Sequence, residues 1–202
     1  MFGEGLWAFL LTSVAIEATP GPNMAYLIVL AAIEGRRAGY AAVAGVALGL
    51  LIVGVLAAMG VAALISASPL AFQVLRWAGV AYLLWLAYDA WRPEKAEPNA
   101  FAGKNARYFR RGLIVNLLNP KAAVFYVAML PQFVSPGGPI LTQTITLSVI
   151  YVAVATLVHL SLVTLADLAH GTLTDPKRRQ IVRRAMALAL VAIALWFAIK
   201  TA

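Results

Sequence analysis

The chain has 202 residues, of which 62% are hydrophobic and 12% charged, against roughly 45–50% and about 25% in a soluble domain. Folding that composition in water would leave more apolar surface than one small core can bury, so the excess must face lipid. The absence of Cys rules out disulfide scaffolds, Cys-ligated zinc and iron–sulfur clusters, and the formal net charge of +8 is spread over short connectors rather than a basic groove, which argues against nucleic acid.

The first eleven residues hold no Lys or Arg ahead of the apolar run and no small-residue cleavage site, so they are expected to stay as membrane segment rather than as a removable signal peptide. A spanning helix needs about 20 mostly apolar residues. On that measure six segments are predicted, at Gly5 to Ile33, Ala38 to Ile65, Leu70 to Trp91, Gly112 to Phe133, Ile140 to Leu168 and Ala185 to Ile199. The first is interrupted by Thr19-Pro20-Gly21-Pro22-Asn23 and the fourth by Asn119-Pro120-Lys121, so helices one and four are expected to break near the bilayer midplane.

Thirteen of the 16 Lys and Arg residues lie in the connectors after segments one, three and five, from Arg36 and Arg37 through the Arg92 to Arg111 stretch to Lys177 to Arg184. Basic residues in short loops stay cytoplasmic, so both termini are expected outside. The Arg92 to Arg111 stretch carries Pro93, Pro98 and Gly103 among mixed charges and reads as a flexible cytoplasmic loop over 93–111. It divides one membrane domain, 1–202, into halves of three spans at roughly 1–92 and 112–202. An odd number of spans per half forces opposite orientations, the inverted-repeat arrangement of many secondary transporters. The predicted fold class is therefore all-α and polytopic, with six transmembrane helices in two inverted three-helix repeats.

The breaks carry the chemistry. Backbone that leaves helical geometry at membrane depth must be satisfied by protein or by a water-filled cavity. A helix starting at Pro22 presents free N–H groups to an anion, and the helix that ends before it presents carbonyls to a cation, so together they suit a zwitterion. Thr19, Pro20, Gly21, Pro22 and Asn23 are thus candidate binding residues, and Asn116, Asn119, Pro120 and Lys121 form the counterpart in the second half. Lys121 lies about 15 Å along a helix from Arg111, near the middle of a hydrocarbon core roughly 30 Å thick, where an ammonium must be paired or wet. Glu17 stands on the last turn before the first break, one turn after Ser13, and points inward. It can exchange protons, hold an amine, or pair with Lys121 to join the halves.

In segment five, Thr156, His159, Asp167 and His170 fall within an arc of roughly 80° on a helix otherwise of Leu, Val and Ala. His159 and Asp167 are candidates from this polar stripe, and His-x7-Asp-x2-His does not bring three metal ligands to one depth. Ala41, Gly45 and Gly49 form a small-residue row for close helix approach. Trp7, Trp77, Trp91 and Trp196 read as interfacial anchors. Walker motifs, nucleotide-binding glycine patterns and a nucleophile-and-base constellation are absent from the sequence, so neither an enzyme nor an ATP-driven pump is predicted, and no cofactor or metal.

The elements Thr19-Pro20-Gly21-Pro22-Asn23, Gly35-Arg36-Arg37-Ala38-Gly39, Asn116-Leu117-Leu118-Asn119-Pro120-Lys121 and Leu130-Pro131-Gln132-Phe133, in that order and at this length, resemble the LysE/RhtB family of bacterial amino acid exporters. The resemblance covers nearly the whole chain. It implies a multi-pass inner-membrane exporter of amino acids or their derivatives, driven by the proton gradient. The expected partners are a zwitterionic small molecule, protons as coupling ion and the bilayer, with homo-oligomers allowed. An acidic residue at the position of Glu17 is not part of what the resemblance carries over. An ion or metal-cation exporter on the same fold is the alternative; a membrane-embedded enzyme or scaffold is the more distant one.

Overall fold

The computed structural model describes residues 3–19, 21–60, 68–91, 101–135, 138–170 and 176–200. Helices α1 (Gly3–Ala18) and α2 (Pro22–Glu34) meet at the first break, and α3 (Arg36–Ala58) and α4 (Pro69–Trp91) complete the first half. The second half runs α5 (Phe101–Leu117), α6 (Pro120–Val124), a π turn (Phe125–Met129), a 3-10 turn (Leu130–Phe133), α7 (Ile140–His170) and α8 (Pro176–Lys200). No strand occurs among the described residues, and the chain is an all-helical polytopic membrane protein.

Two single helices are long and apolar enough to cross a membrane, over Arg36–Ala58 and Ile140–Leu168. Two bent pairs also qualify when each pair is taken as one span: Gly5–Ala18 with Pro22–Glu34, bent by 60°, and Asn105–Leu117 with Lys121–Phe133, bent by 52°. Both expected interruptions are therefore real breaks. Their cause is local, since Pro22 and Pro120 each open a helix at its first turn, where a missing N–H costs nothing. Between α2 and α3 the chain turns through Gly35 at φ 82°, a left-handed conformation that a side chain would strain.

Two expectations are corrected. The predicted loop over 93–111 is helical from Phe101 onward, because no proline falls between Pro98 and Pro120 and the Lys, Arg, Ala and Leu residues of that stretch are good helix formers. The last helix begins at Pro176 rather than Ala185, since Lys177 to Arg184 form two charged turns ahead of the apolar run. The end expected at Ile65 lies outside the described residues, as do Arg92 and Lys95.

The broken helix of each half packs against the second helix of the other: α1 and α2 lie on α7, and α5 lies on α3, while α3 meets α7 and α4 meets α8. The α3–α5 contact is backbone against backbone. A Cβ on Gly45 would sit 2.0 Å from the Phe109 carbonyl oxygen, and one on Gly112 would sit 2.1 Å from that of Ala42. The small-residue row is thus packing, as expected. Phe9, Phe125, Tyr126 and Tyr151 form a buried aromatic cluster in which the Phe125 and Tyr151 rings stack at 3.7 Å between centroids. Outward, Leu11, Leu70, Leu157, Leu165 and Trp7 are largely exposed, a surface suited to lipid and not to water.

Candidate functional site: the first helix break

Glu17 ends the first helix on its buried face, with 5% of its surface exposed. Its carboxylate accepts a hydrogen bond from the Tyr151 hydroxyl and lies 3.2 Å from His159 Nε2. Tyr151, Ala155, His159 and Val163 recur every fourth residue along α7, all buried, so one stripe of that helix faces the interior and brings Tyr151 and His159 to the break. A carboxylate and an imidazole in contact, both shielded from water, can share or pass a proton while the Tyr151 hydroxyl fixes the carboxylate.

Lys121 stands in the first turn of α6. Asn119 caps that turn by accepting from the Lys121 amide at 3.1 Å, and Lys121 Nζ donates to the Thr19 carbonyl oxygen at 2.9 Å. The ammonium therefore closes the carbonyl end of α1, the end expected to receive a cargo cation. The Lys121 stem runs beside Gly21 at ordinary contact distance, 3.4 Å from where a Cβ would be. Thr19 turns its hydroxyl back to the Ala15 carbonyl, and Gly21 gives α2 no side-chain cap, which leaves the N-terminal amides of α2 uncapped beside a positive charge.

Of the alternatives for Glu17, an ion pair with Lys121 is not the contact the structure makes: the contact partner of Glu17 is His159, and Lys121 donates to backbone. Asp167 is not at the break either. Its carboxylate accepts from the Arg36 amide at 2.8 Å, capping the start of α3, and lies 3.9 Å from Arg36 Nε. Thr156 is only partly buried, off the Tyr151–His159 face. Pro20 and the side chains of Pro120 and His170 lie outside the described residues. Asn23 and Asn116 are buried, and Asn23 Oδ1, both amide atoms of Asn116 and His159 Nδ1 lack hydrogen-bond partners among the described residues. Each such atom costs about 1–3 kcal/mol until something polar meets it.

Sequence reasoning missed Tyr151, whose hydroxyl makes the shortest contact to Glu17. Its signal was the spacing of eight residues before His159, which puts both on one helical stripe. It also missed the π turn that follows the second break. That turn carries Phe125 and Tyr126 against Tyr151, and Tyr126 donates to the Leu50 carbonyl oxygen at 2.9 Å, tying the turn to α3.

The LysE type translocator family matches residues 14–201 of the chain. Among individual relatives, a homoserine/homoserine lactone efflux protein of Salmonella typhimurium is 36% identical over 185 residues, covering 90% of each chain, and one of the same name from Salmonella typhi is equally similar. An uncharacterized membrane protein of Vibrio cholerae is 34% identical over 79% of each chain. No solved structure matches. With two broken helices, a lipid-facing exterior and a polar cluster buried at a break, the chain belongs to the LysE type translocator family, and it is a membrane transport protein for small molecules rather than an enzyme.

Proposed function

We propose that the protein is a secondary exporter of amino acids or amino acid derivatives across the bacterial inner membrane, coupled to protons, with its central site at the α1/α2 break. The observation that carries the reading is the buried Glu17–His159–Tyr151 cluster directly beside Lys121 and the start of α2. The uncapped amides of α2 and the Lys121 ammonium favour a cargo carboxylate, and Asn23 supplies a polar atom at the same turn. Glu17 and His159 serve as the proton-exchanging pair, and a protonated pair releases a cargo ammonium that an ionised Glu17 holds. The names of the Salmonella relatives support an amino-acid-like cargo.

Six spans in two inverted halves fit this role. The packing supports the arrangement, because each half lays its broken helix on the second helix of the other, while the second helices meet each other and the third helices meet each other, as a two-fold relation requires.

The test is export of labelled L-homoserine from proteoliposomes under an imposed pH gradient. Wild-type protein should export with a rate that follows the gradient. Glu17→Gln should insert and exchange cargo across the bilayer yet lose the dependence on the gradient. Full gradient-driven export by Glu17→Gln would remove this residue from coupling, and movement of inorganic cations with no amino acid would favour the cation exporter.

A further inference from the structure

Away from the break, a cavity of about 50 Å³ is walled by α2, α4, α5 and α8 and reached by the basic residues of α5. Under the topology proposed above those residues are cytoplasmic. Its polar lining is Tyr26, Glu34, Asp89, Arg107, Tyr108 and Arg111, two carboxylates and two guanidiniums among them. Arg111 Nη2 donates to Asp89 Oδ2 at 2.6 Å, and Arg107 Nη2 lies 3.9 Å from the same oxygen, so two guanidiniums share one carboxylate. Arg111 is itself mostly buried, with 13% of its side chain exposed and its guanidinium 5.1 Å from the Trp85 ring centroid. The Tyr26 hydroxyl is buried without a hydrogen-bond partner among the described residues, and its charged and polar neighbours are Arg111, Arg107, Tyr82 and Tyr108. Tyr82 in turn lines a small cavity of about 10 Å³ that reaches Pro22, at the central break.

Two guanidiniums meet the Asp89 carboxylate, Glu34 lines the same cavity, and the unpartnered Tyr26 hydroxyl stands beside them, so both signs of charge and a free polar atom face one space. An ion pair of this kind can open to admit a zwitterion without changing net charge: the incoming carboxylate takes the Arg111 fork, and the incoming ammonium takes Asp89. Because Asp89 belongs to α4 and Arg111 to α5, the exchange would also loosen a contact between the halves.

We propose that this cavity is a capture site for an amino acid zwitterion on its way to the central site, with the cargo carboxylate on Arg111, Arg107 and the Tyr26 hydroxyl and the cargo ammonium on Asp89. The proposal rests on the exporter reading. Its test uses two cargoes, L-homoserine, which carries a free carboxylate, and homoserine lactone, which carries none. In proteoliposomes, Arg111→Lys keeps the charge but loses the two-pronged fork, and Tyr26→Phe removes only the hydroxyl. Each should raise the KM for homoserine roughly tenfold, the loss expected for a hydrogen bond to a charged group, with kcat within about twofold and the KM for the lactone unchanged. Tyr26→Phe replaces one aromatic ring by another, so it remains informative should Arg111→Lys fail to fold. An unchanged homoserine KM in the folded variants, or equal rises for both cargoes, would overturn the capture site while leaving the exporter reading intact. Wild-type protein that moves neither cargo would overturn both.

Discussion

At the residue scale the decisive feature is a buried contact between two ionisable side chains, Glu17 and His159, that a sequence can suggest but not assign. Glu17, His159 and Lys121 are legible because ionisable groups inside apolar runs cost too much to be incidental. Their partners are not, since pairing depends on how α1 seats on α7, and nothing in the spacing separates His159 from Lys121 as the neighbour of Glu17. Asp167 shares an arc with His159, yet it sits about 12 Å further along the helix axis, where it caps α3. The buried pair makes a specific prediction. His159→Leu strands the Glu17 carboxylate with only the Tyr151 hydroxyl and should destabilise the protein by about 3–5 kcal/mol. Adding Glu17→Leu removes the stranded charge, so the double variant should be more stable than His159→Leu alone by about 0.5–3 kcal/mol, although it exports nothing against the gradient. Unfolding in detergent measures the first two quantities. A double variant less stable than His159→Leu would mean that the two residues do not form a coupled pair.

At the element scale both breaks are legible, because a proline inside an apolar run has few structural outcomes. The start of α5 is not, since Pro93, Pro98 and Gly103 read as loop residues while the helix already runs from Phe101. The glycines show what the α3–α5 contact demands. Gly45→Ala would drive a methyl group into the Phe109 backbone, which has no rotamer to yield, whereas Gly5 has open space around it. Gly45→Ala should therefore cost about 1–3 kcal/mol or more, seen as a lowered melting temperature and reduced yield, while Gly5→Ala should be neutral. Equal behaviour of the two would mean that α3 and α5 do not approach as closely as described. The role proposed for the breaks is in transport, and a substitution at both prolines tests it. Replacing both Pro20 and Pro22 by Ala should let the helix continue, bury the α2 amides and leave an inserted protein with strongly reduced homoserine export. Normal export by that double variant would reduce the first break to a kink.

At the scale of the whole molecule, orientation follows from where the protein spends its positive charge. Arg36 begins α3, Arg107, Arg110 and Arg111 lie in the middle of α5, and the Lys177 to Arg184 cluster forms the first turns of α8, so the basic residues gather in the stretches that follow segments one, three and five. Three basic residues remain elsewhere: Arg76 lies in α4, Lys121 is engaged with the Thr19 carbonyl at the break, and Lys200 closes α8. Translocating any one of the three clusters would carry several guanidinium or ammonium groups through the hydrocarbon, and the clusters reinforce one another because an even number of spans separates each from the next. A reporter active only outside the cytoplasm, fused after Ala202, should therefore be active, and the same reporter inserted among residues 93–100 should be silent. With six spans both fusions are fixed by one orientation. Activity at 93–100 with silence at the C-terminus would invert the whole chain, place the Arg107–Arg111–Asp89 cavity on the outer face, and turn the proposed capture site into a release site. Activity at both positions, or at neither, would show that the number of spans between them is even.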